Sequence, residues 1–284
     1  MSSTATATPR AKTASRRIVQ STSGRRHGPI ARLVSPSDIG ELIKPFVFLD
    51  HFEVAPRPGE PFMGIHPHSG IATLTVVLGG GVAYEDTTGK TGTVPTGGIE
   101  WMKAGNGVWH DGGAAPGEPL RGFQLWVALP PSEENGVAES QYIAPGEIQS
   151  EGPARVILGS YGGATSPIRA PAGMNYLHVN LKDGERWSYA PPDGHTVAWL
   201  AVDKGRLQSH APIVAGQLAV FAESGEAIEL EARGDTSFVL GSAIKHPHPL
   251  VLGYYSVHTS RAALDQGEAE INRIGQGLRA AGRI

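Results

Sequence analysis

Short β-branched apolar runs cut repeatedly by glycine and proline turns constrain this chain more than any other feature. Ile71-Ala-Thr-Leu-Thr-Val-Val-Leu78 is stopped by Gly79-Gly80-Gly81, and Val82 to Asp86 alternates before Thr87-Thr88-Gly89-Lys90 turns the chain. Thr93-Val94, the Pro95-Thr96-Gly97-Gly98 turn, Ile99 to Met102, the Asn106-Gly107 turn, Val108 to His110 and Phe123 to Leu129 continue the pattern. Such spacing predicts hairpins, and enough of them in succession close into an antiparallel barrel. The 38 glycines and 22 prolines are spread along the chain rather than gathered in one tract, which fits many tight turns.

The pattern lapses at Pro130-Pro131, the polar run Ser132 to Asn135 and Pro145-Gly146, then resumes at Ala154 to Leu158. Tyr176–Leu181, Thr196–Val202, Ala211–Val214, Gln217–Phe221, Ala227–Leu230 and Thr236–Leu240 predict a second barrel of similar size. The division expected is a flexible basic arm over 1–15, a first barrel over 16–145 and a second over 146–284 that ends in a helix. Ordered structure is expected from about Ile30, and Leu42 to Phe52 reads as a strand entering a core. The helix rests on Leu264, Ile271, Ile274 and Leu278, with Thr259 or Ser260 as its cap, and Gly267, Gly275 and Gly277 weaken it.

Composition excludes several function classes. A net charge of -3 over 284 residues gives no general attraction for nucleic acid or anionic membrane, and no apolar run approaches the roughly 18 residues of a bilayer span. The absence of cysteine excludes disulfides, thiolate metal sites and cysteine nucleophiles. There is no GxSxG elbow, P-loop or dinucleotide fingerprint, and Gly79-Gly80-Gly81 reads as a turn. The first 28 residues are basic and free of acids, which resembles an organellar transit peptide, but a flexible arm and a bacterial cytoplasmic location are the preferred expectation.

The chemistry-bearing residues are histidines. A strand sets residues i and i+2 on one face, so His66 and His68 in Ile-His-Pro-His-Ser-Gly can aim two imidazoles at one point, and His110 on a later strand can supply a third. The second pair, His246 and His248, lies in a loop-like Lys-His-Pro-His-Pro setting with no later partner and reads as a decoy. His51, His178, His195, His210 and His258 stand alone and read as packing or surface residues. Trp101, Trp109 and Trp126 fall in strands, where aromatic residues most often fill a core.

Two barrels, HPHxG leading into a strand and WMxAGxGxxH about forty residues later resemble the pirin family of bicupins. Phe48-Leu49-Asp50, Gly122 to Val127, and Tyr254 to Val257 followed by a helix fit the same layout, so the resemblance runs from about residue 16 to the end. It implies an all-β fold of two tandem cupin (jelly-roll β-barrel) domains with a short C-terminal helix. It also implies a mononuclear divalent metal in the first barrel, Fe(II) by expectation, with Cu, Ni, Zn or no metal as alternatives. His66, His68 and His110 fill the family's three imidazole positions. The family's glutamate, two residues after the last histidine, falls on Gly112, and a further glutamate of the general cupin motif falls on Ala72. Asp111 is set aside because strand alternation points it away. Glu100 remains, either to orient a ligand imidazole through its free nitrogen or to serve as a base. The function implied is a quercetin 2,3-dioxygenase-type oxygenase acting on a small aromatic or flavonol-like ligand. The alternative is a non-catalytic regulatory pirin that binds a protein partner, with a degenerate or sensor metal site.

Overall fold

The computed structural model describes residues 16–55 and 64–284, so the basic arm read over 1–15 lies outside the described residues. The fold is mostly β, as read from the hairpin pattern, and consists of two sheet pairs built alike. In the first, a seven-stranded antiparallel sheet runs in the order Glu139–Ile143, Ile99–Lys103, Ile71–Gly79, Leu120–Ala128, Phe46–Val54, Ile30–Val34, Arg25–His27. It faces a four-stranded sheet of His66–His68, Val108–Ala114, Gly81–Asp86 and Thr91–Pro95. The second pair sets a seven-stranded sheet centred on Val197–Lys204, Thr236–Ala243 and Met174–Leu181 against a four-stranded sheet of Arg186–Tyr189, Ile228–Ala232, Arg206–Gln208 and Pro212–Val214.

Alternation along the strands decides what each barrel holds. In the first seven-stranded sheet, Ala72, Leu74, Val76, Ile99, Trp101, Phe123, Leu125 and Val127 share one buried cluster with Ile157, Tyr176, Trp199, Val220 and Val239 of the second. The two large sheets therefore pack face to face, at the roughly 10 Å spacing usual for stacked sheets. The alternate residues look into their own barrels. In the second barrel these are Leu177, Val179, Ala198, Leu200, Val202, Phe238 and Leu240, closed over by Trp187, Tyr189, Leu207, Ile213 and Leu230 into an apolar core. In the first barrel they include Thr73, Thr75, Glu100 and Asp50, all buried. The second barrel's interior also holds one polar network, of Asn175, Tyr189, His195 and Ser242, whereas the first barrel's interior holds carboxylates as well.

Three features depart from the sequence reading. Among the described residues pairing begins at Ile18, ahead of Ile30, because Ile18–Thr22 adds to the edge of the second barrel's large sheet beside Leu218–Phe221. Its three central residues are exposed, so an edge strand of this kind carries no alternating signal. Leu42 and Ile43 belong to a short helix, Ile39–Ile43, whose first amide is capped by the Asp38 carboxylate, and the strand starts only at Phe46. The C-terminal helix is not short: it spans 20 residues, Arg261–Ala280, capped by the Ser260 hydroxyl, which accepts from the Ala263 amide at 3.2 Å. It lies against the first barrel, where the Trp109 indole donates to the Ile271 carbonyl at 2.8 Å. Two of the three glycines that weaken it as an isolated helix, Gly267 and Gly275, are where it approaches its neighbours closely, while Gly277 faces open space. A Cβ on Gly275 would stand 2.7 Å from the Trp109 ring, and one on Gly267 would stand 2.6 Å from both His258 and Ser69. Among the described residues no helix is long and apolar enough to cross a membrane.

The packed sheets enclose charge as well as apolar surface. Asp203 of the second barrel accepts from Arg121 and from His51 of the first, the latter at 3.1 Å, and its side chain is 1% exposed. Burial alone would raise this carboxyl, yet the hydrogen bonds from His51 and Arg121 outweigh it and hold the group below the usual range. Removing one partner strands the other's charge, so Asp203→Ala is expected to lower stability by about 3 kcal/mol, read as a shift in urea midpoint. Lys182→Ala, which breaks an exposed pair with Asp235, is expected to leave that midpoint unchanged. His178, buried opposite Leu177 and Val179, is pushed down to about 4 by burial and then by the Arg155 charge. The unfolded chain, titrating near 6.5, then binds the proton more readily. The stability this residue contributes is complete above about pH 6.5 and is lost as pH falls to about 4. Thermal melts between pH 7 and 4.5 should show this decline, and His178→Gln should make it shallower.

Candidate metal centre

The centre is built by strand register. Val108–Ala114 pairs antiparallel with His66–His68 so that His110 stands directly across from His66 and Val108 across from His68. Directly opposed residues share a face, and so do residues two apart, so all three imidazoles point the same way. They are buried, His66 at 9%, His68 at 0% and His110 at 3% exposure, and their ligand nitrogens lie within 4.8 Å of one another. Among the described residues this is the one group of three or more His, Asp or Glu side chains close enough to hold a metal ion. His246 and His248 have ring centroids 5.2 Å apart but no third ligand.

The outer nitrogens settle which atoms face the centre. A carbonyl can only accept, so His66 Nδ1 donates to the Gly64 carbonyl at 2.8 Å and His68 Nδ1 donates to the Tyr255 carbonyl at 3.0 Å. Each ring then carries its lone pair on Nε2. His110 turns Nδ1 toward Glu100 Oε1 at 3.8 Å and places Nε2 3.1 Å from His66 Nε2. Two nitrogens sharing a metal at about 2.0–2.1 Å stand about 3 Å apart, so that spacing suits a common ion. His68 Nε2 is buried with no hydrogen-bond partner, an arrangement that is costly unless the lone pair has a use. Burial, followed by the neighbouring His110, pushes His66 down to about 4 and His68 well below its ordinary value, so both are neutral at pH 7 as metal ligands must be.

Beside His66 and His110 is a cavity of about 40 Å³ lined by Asp50, Phe52, Thr75, Glu100, Gly112 and Gln124 among others. Glu100 comes from the opposing seven-stranded sheet, where Thr75 sits across from it in register and its hydroxyl donates to Oε2 at 3.0 Å. Asp50 is tied to Arg32. Asp111 lies outside the cluster, in the same strand as His110. Trp126, which reads from sequence as a core aromatic, stacks on Phe48 at 4.1 Å and meets the His68 ring in a T-shaped contact at 5.0 Å. Trp101 instead faces the second barrel. Tyr255, which the sequence does not single out, packs its ring 5.5 Å from His66. Its one sequence-level signal is the Tyr254-Tyr255-Ser256-Val257 match to the family layout.

The pirin family model matches residues 29–127. A Pseudomonas aeruginosa protein provisionally named as a quercetin 2,3-dioxygenase is 32% identical over 254 residues, covering 84% of this chain and 88% of its own. The chain belongs to the pirin family. Among solved structures it is similar to a quercetin 2,3-dioxygenase from Acinetobacter baumannii, with a TM-score of 0.84 and 25% identity over 92% of this chain and 98% of that one. A bacterial pirin of Escherichia coli in complex with nickel(II) shares the fold at a TM-score of 0.60 and 21% identity, covering 78% and 95%. At Gly112, where the resemblance leads one to expect a glutamate, a Cβ would meet nothing nearer than Val82 at 3.8 Å, an ordinary contact. The missing side chain is therefore not excluded by crowding. Gly112→Ala is expected to melt as the unsubstituted protein does, within about 0.5 kcal/mol. Gly122→Ala, whose Cβ would lie 2.1 Å from the Val76 carbonyl, is expected to cost several times more, measured by the same melt.

Proposed function

We propose that this pirin holds one divalent metal on the Nε2 atoms of His66, His68 and His110, and that it is an oxygenase for a small chelating aromatic of the quercetin type. The observation that carries the reading is the convergence of three buried imidazoles, two of them with their outer nitrogens committed to carbonyls. Imidazole donors suit Fe(II), Cu(II), Ni(II) and Zn(II). With Gly112 in place of a carboxylate ligand, the ion keeps its full charge, which favours an anionic or chelating ligand over a neutral one. When bound, the metal supplies Lewis acidity and a template for adjacent hydroxyl and carbonyl oxygens.

The chain's own residues do the rest. His66 and His68 hold their tautomers through Gly64 and Tyr255, which keeps both lone pairs aimed inward. Glu100 is the cavity carboxylate not occupied by an arginine, and it takes the proton of the ligand's hydroxyl. Thr75 pins Oε2 by its hydrogen bond, leaving Oε1 free to turn toward His110 or the cavity. Ile30, Phe52, Val82 and Leu120 form the apolar part of the cavity lining, against which an aromatic ring can lie and from which water is excluded.

Metal-loaded protein is expected to consume O2 with quercetin, and Glu100→Gln to reduce that rate about a hundredfold, followed with an oxygen electrode. Elemental analysis should find one metal per chain and none in His66→Ala/His68→Ala. A second reading has an observation of its own: the cavity is only about 40 Å³ and Gly112 offers no fourth ligand. Both favour a non-catalytic pirin that senses a ligand or binds a protein partner. One bound metal with no quercetin-dependent O2 uptake decides for that reading.

A further inference from the structure

A buried polar chain links the second half of the molecule to His68. Glu134, His258, Ser69 and Ser256 are each no more than 3% exposed. Glu134 accepts from the Thr259 amide and hydroxyl, both at 2.6 Å, and its Oε2 stands 3.3 Å from His258 Nδ1, an ion pair when the ring is protonated. His258 Nε2 is 3.0 Å from the Ser69 hydroxyl, which in turn is 2.8 Å from the Ser256 hydroxyl. The direction of this chain follows from its far end. Ser256 donates to the Tyr254 carbonyl at 2.9 Å, which can only accept, so Ser69 donates to Ser256 and His258 Nε2–H donates to Ser69. The Tyr254 amide is held as well, by Glu268 of the C-terminal helix at 3.0 Å.

The segment held in this way carries Tyr255. Among the described residues Tyr255 is the one non-glycine residue with a positive φ, at 53°, and its carbonyl is the acceptor for His68 Nδ1. A bulky side chain adopts that conformation only where its surroundings over-determine it, and such residues gather at functional sites. Ser69 follows His68 directly in sequence and bridges to Ser256, so the histidine and the turn that orients it are joined twice. None of these groups touches the cavity.

We propose that Glu134, His258 and Ser69 form a latch that positions His68 for metal binding by holding the Tyr254–Tyr255 turn against it. The inference rests on the metal reading above. It makes Glu134, His258 and Ser69 positioning residues, acting on the site through Tyr255. Gly267 belongs to the same device, because a Cβ there would stand 2.6 Å from His258 Nε2 and from Ser69 Oγ and force the two apart.

The test uses the full chain and three variants: Glu134→Gln, which keeps an acceptor for Thr259 but not the charge; Gly267→Ala, which removes no polar group; and Tyr255→Pro, whose ring forbids positive φ. Two readouts are taken on chains whose near-ultraviolet circular dichroism shows them folded: Co(II) affinity by visible absorption, and the His68 tautomer in the metal-free protein by imidazole 15N NMR. Each variant is expected to bind Co(II) 10- to 100-fold more weakly, and to lose the single Nδ1–H form of His68. Folded variants with unchanged affinity and an unchanged tautomer overturn the latch. Should the unsubstituted protein bind no Co(II) while the variants still change the tautomer, the latch stands and the metal reading falls.

Discussion

The face-to-face packing of the two seven-stranded sheets is the constraint on which the rest depends. Because side chains alternate along a strand, every strand in those sheets must give one face to the shared apolar layer and the other to its own barrel. The second barrel fills most of its interior with Leu, Val, Phe and Trp, beside one network of Asn175, Tyr189, His195 and Ser242. The first, secured from behind by the same shared layer and by the clamp of Asp203 on Arg121 and His51, can leave Thr73, Thr75, Glu100 and three histidines inside. Buried polar groups of this kind are costly unless paired, and most have partners: carbonyls for the outer nitrogens of His66 and His68, Glu100 beside His110, Thr75 for Glu100, while His68 Nε2 and Thr73 Oγ1 are left without a hydrogen bond.

Gly112 changes what such a site can do more than what it can hold. Three neutral imidazoles leave a divalent ion's charge unbalanced, and the nearest carboxylate, Glu100, stands beside His110 Nδ1 rather than on the far side of the histidines. On the proposed reading a carboxylate there would strengthen His110 as a donor and serve as a base without occupying a coordination position. On that reading the open position is left for a ligand from outside.

Much of this was legible in the sequence, for physical reasons. Period-two alternation and glycine-rich turns report local pairing, so the hairpins from Ile71 to Leu129 and the shared face of His66 and His68 could be read directly. His110 required the WMxAGxGxxH motif, since register between strands forty residues apart leaves no local trace. The long-range pairings were not legible. Ile18–Thr22 is a mostly exposed edge strand that joins the opposite barrel, and the C-terminal helix returns to the first. Glu134 sits in a polar run that reads as a linker, yet it is 3% exposed, and His258 reads as a lone histidine, yet it is 1% exposed. Gly267 and Gly275 weigh against a helix by propensity and are required by what that helix packs on.

The central claim is that three imidazoles meet at one ion. Anomalous diffraction at the metal's absorption edge, from crystals of the protein loaded with Ni(II) or Fe(II), tests it most directly. The account predicts one strong peak about 2.0–2.2 Å from the Nε2 atoms of His66, His68 and His110, with Glu100 outside bonding distance. A peak at His246 and His248 instead, or loaded crystals with no peak among the three histidines, would contradict it.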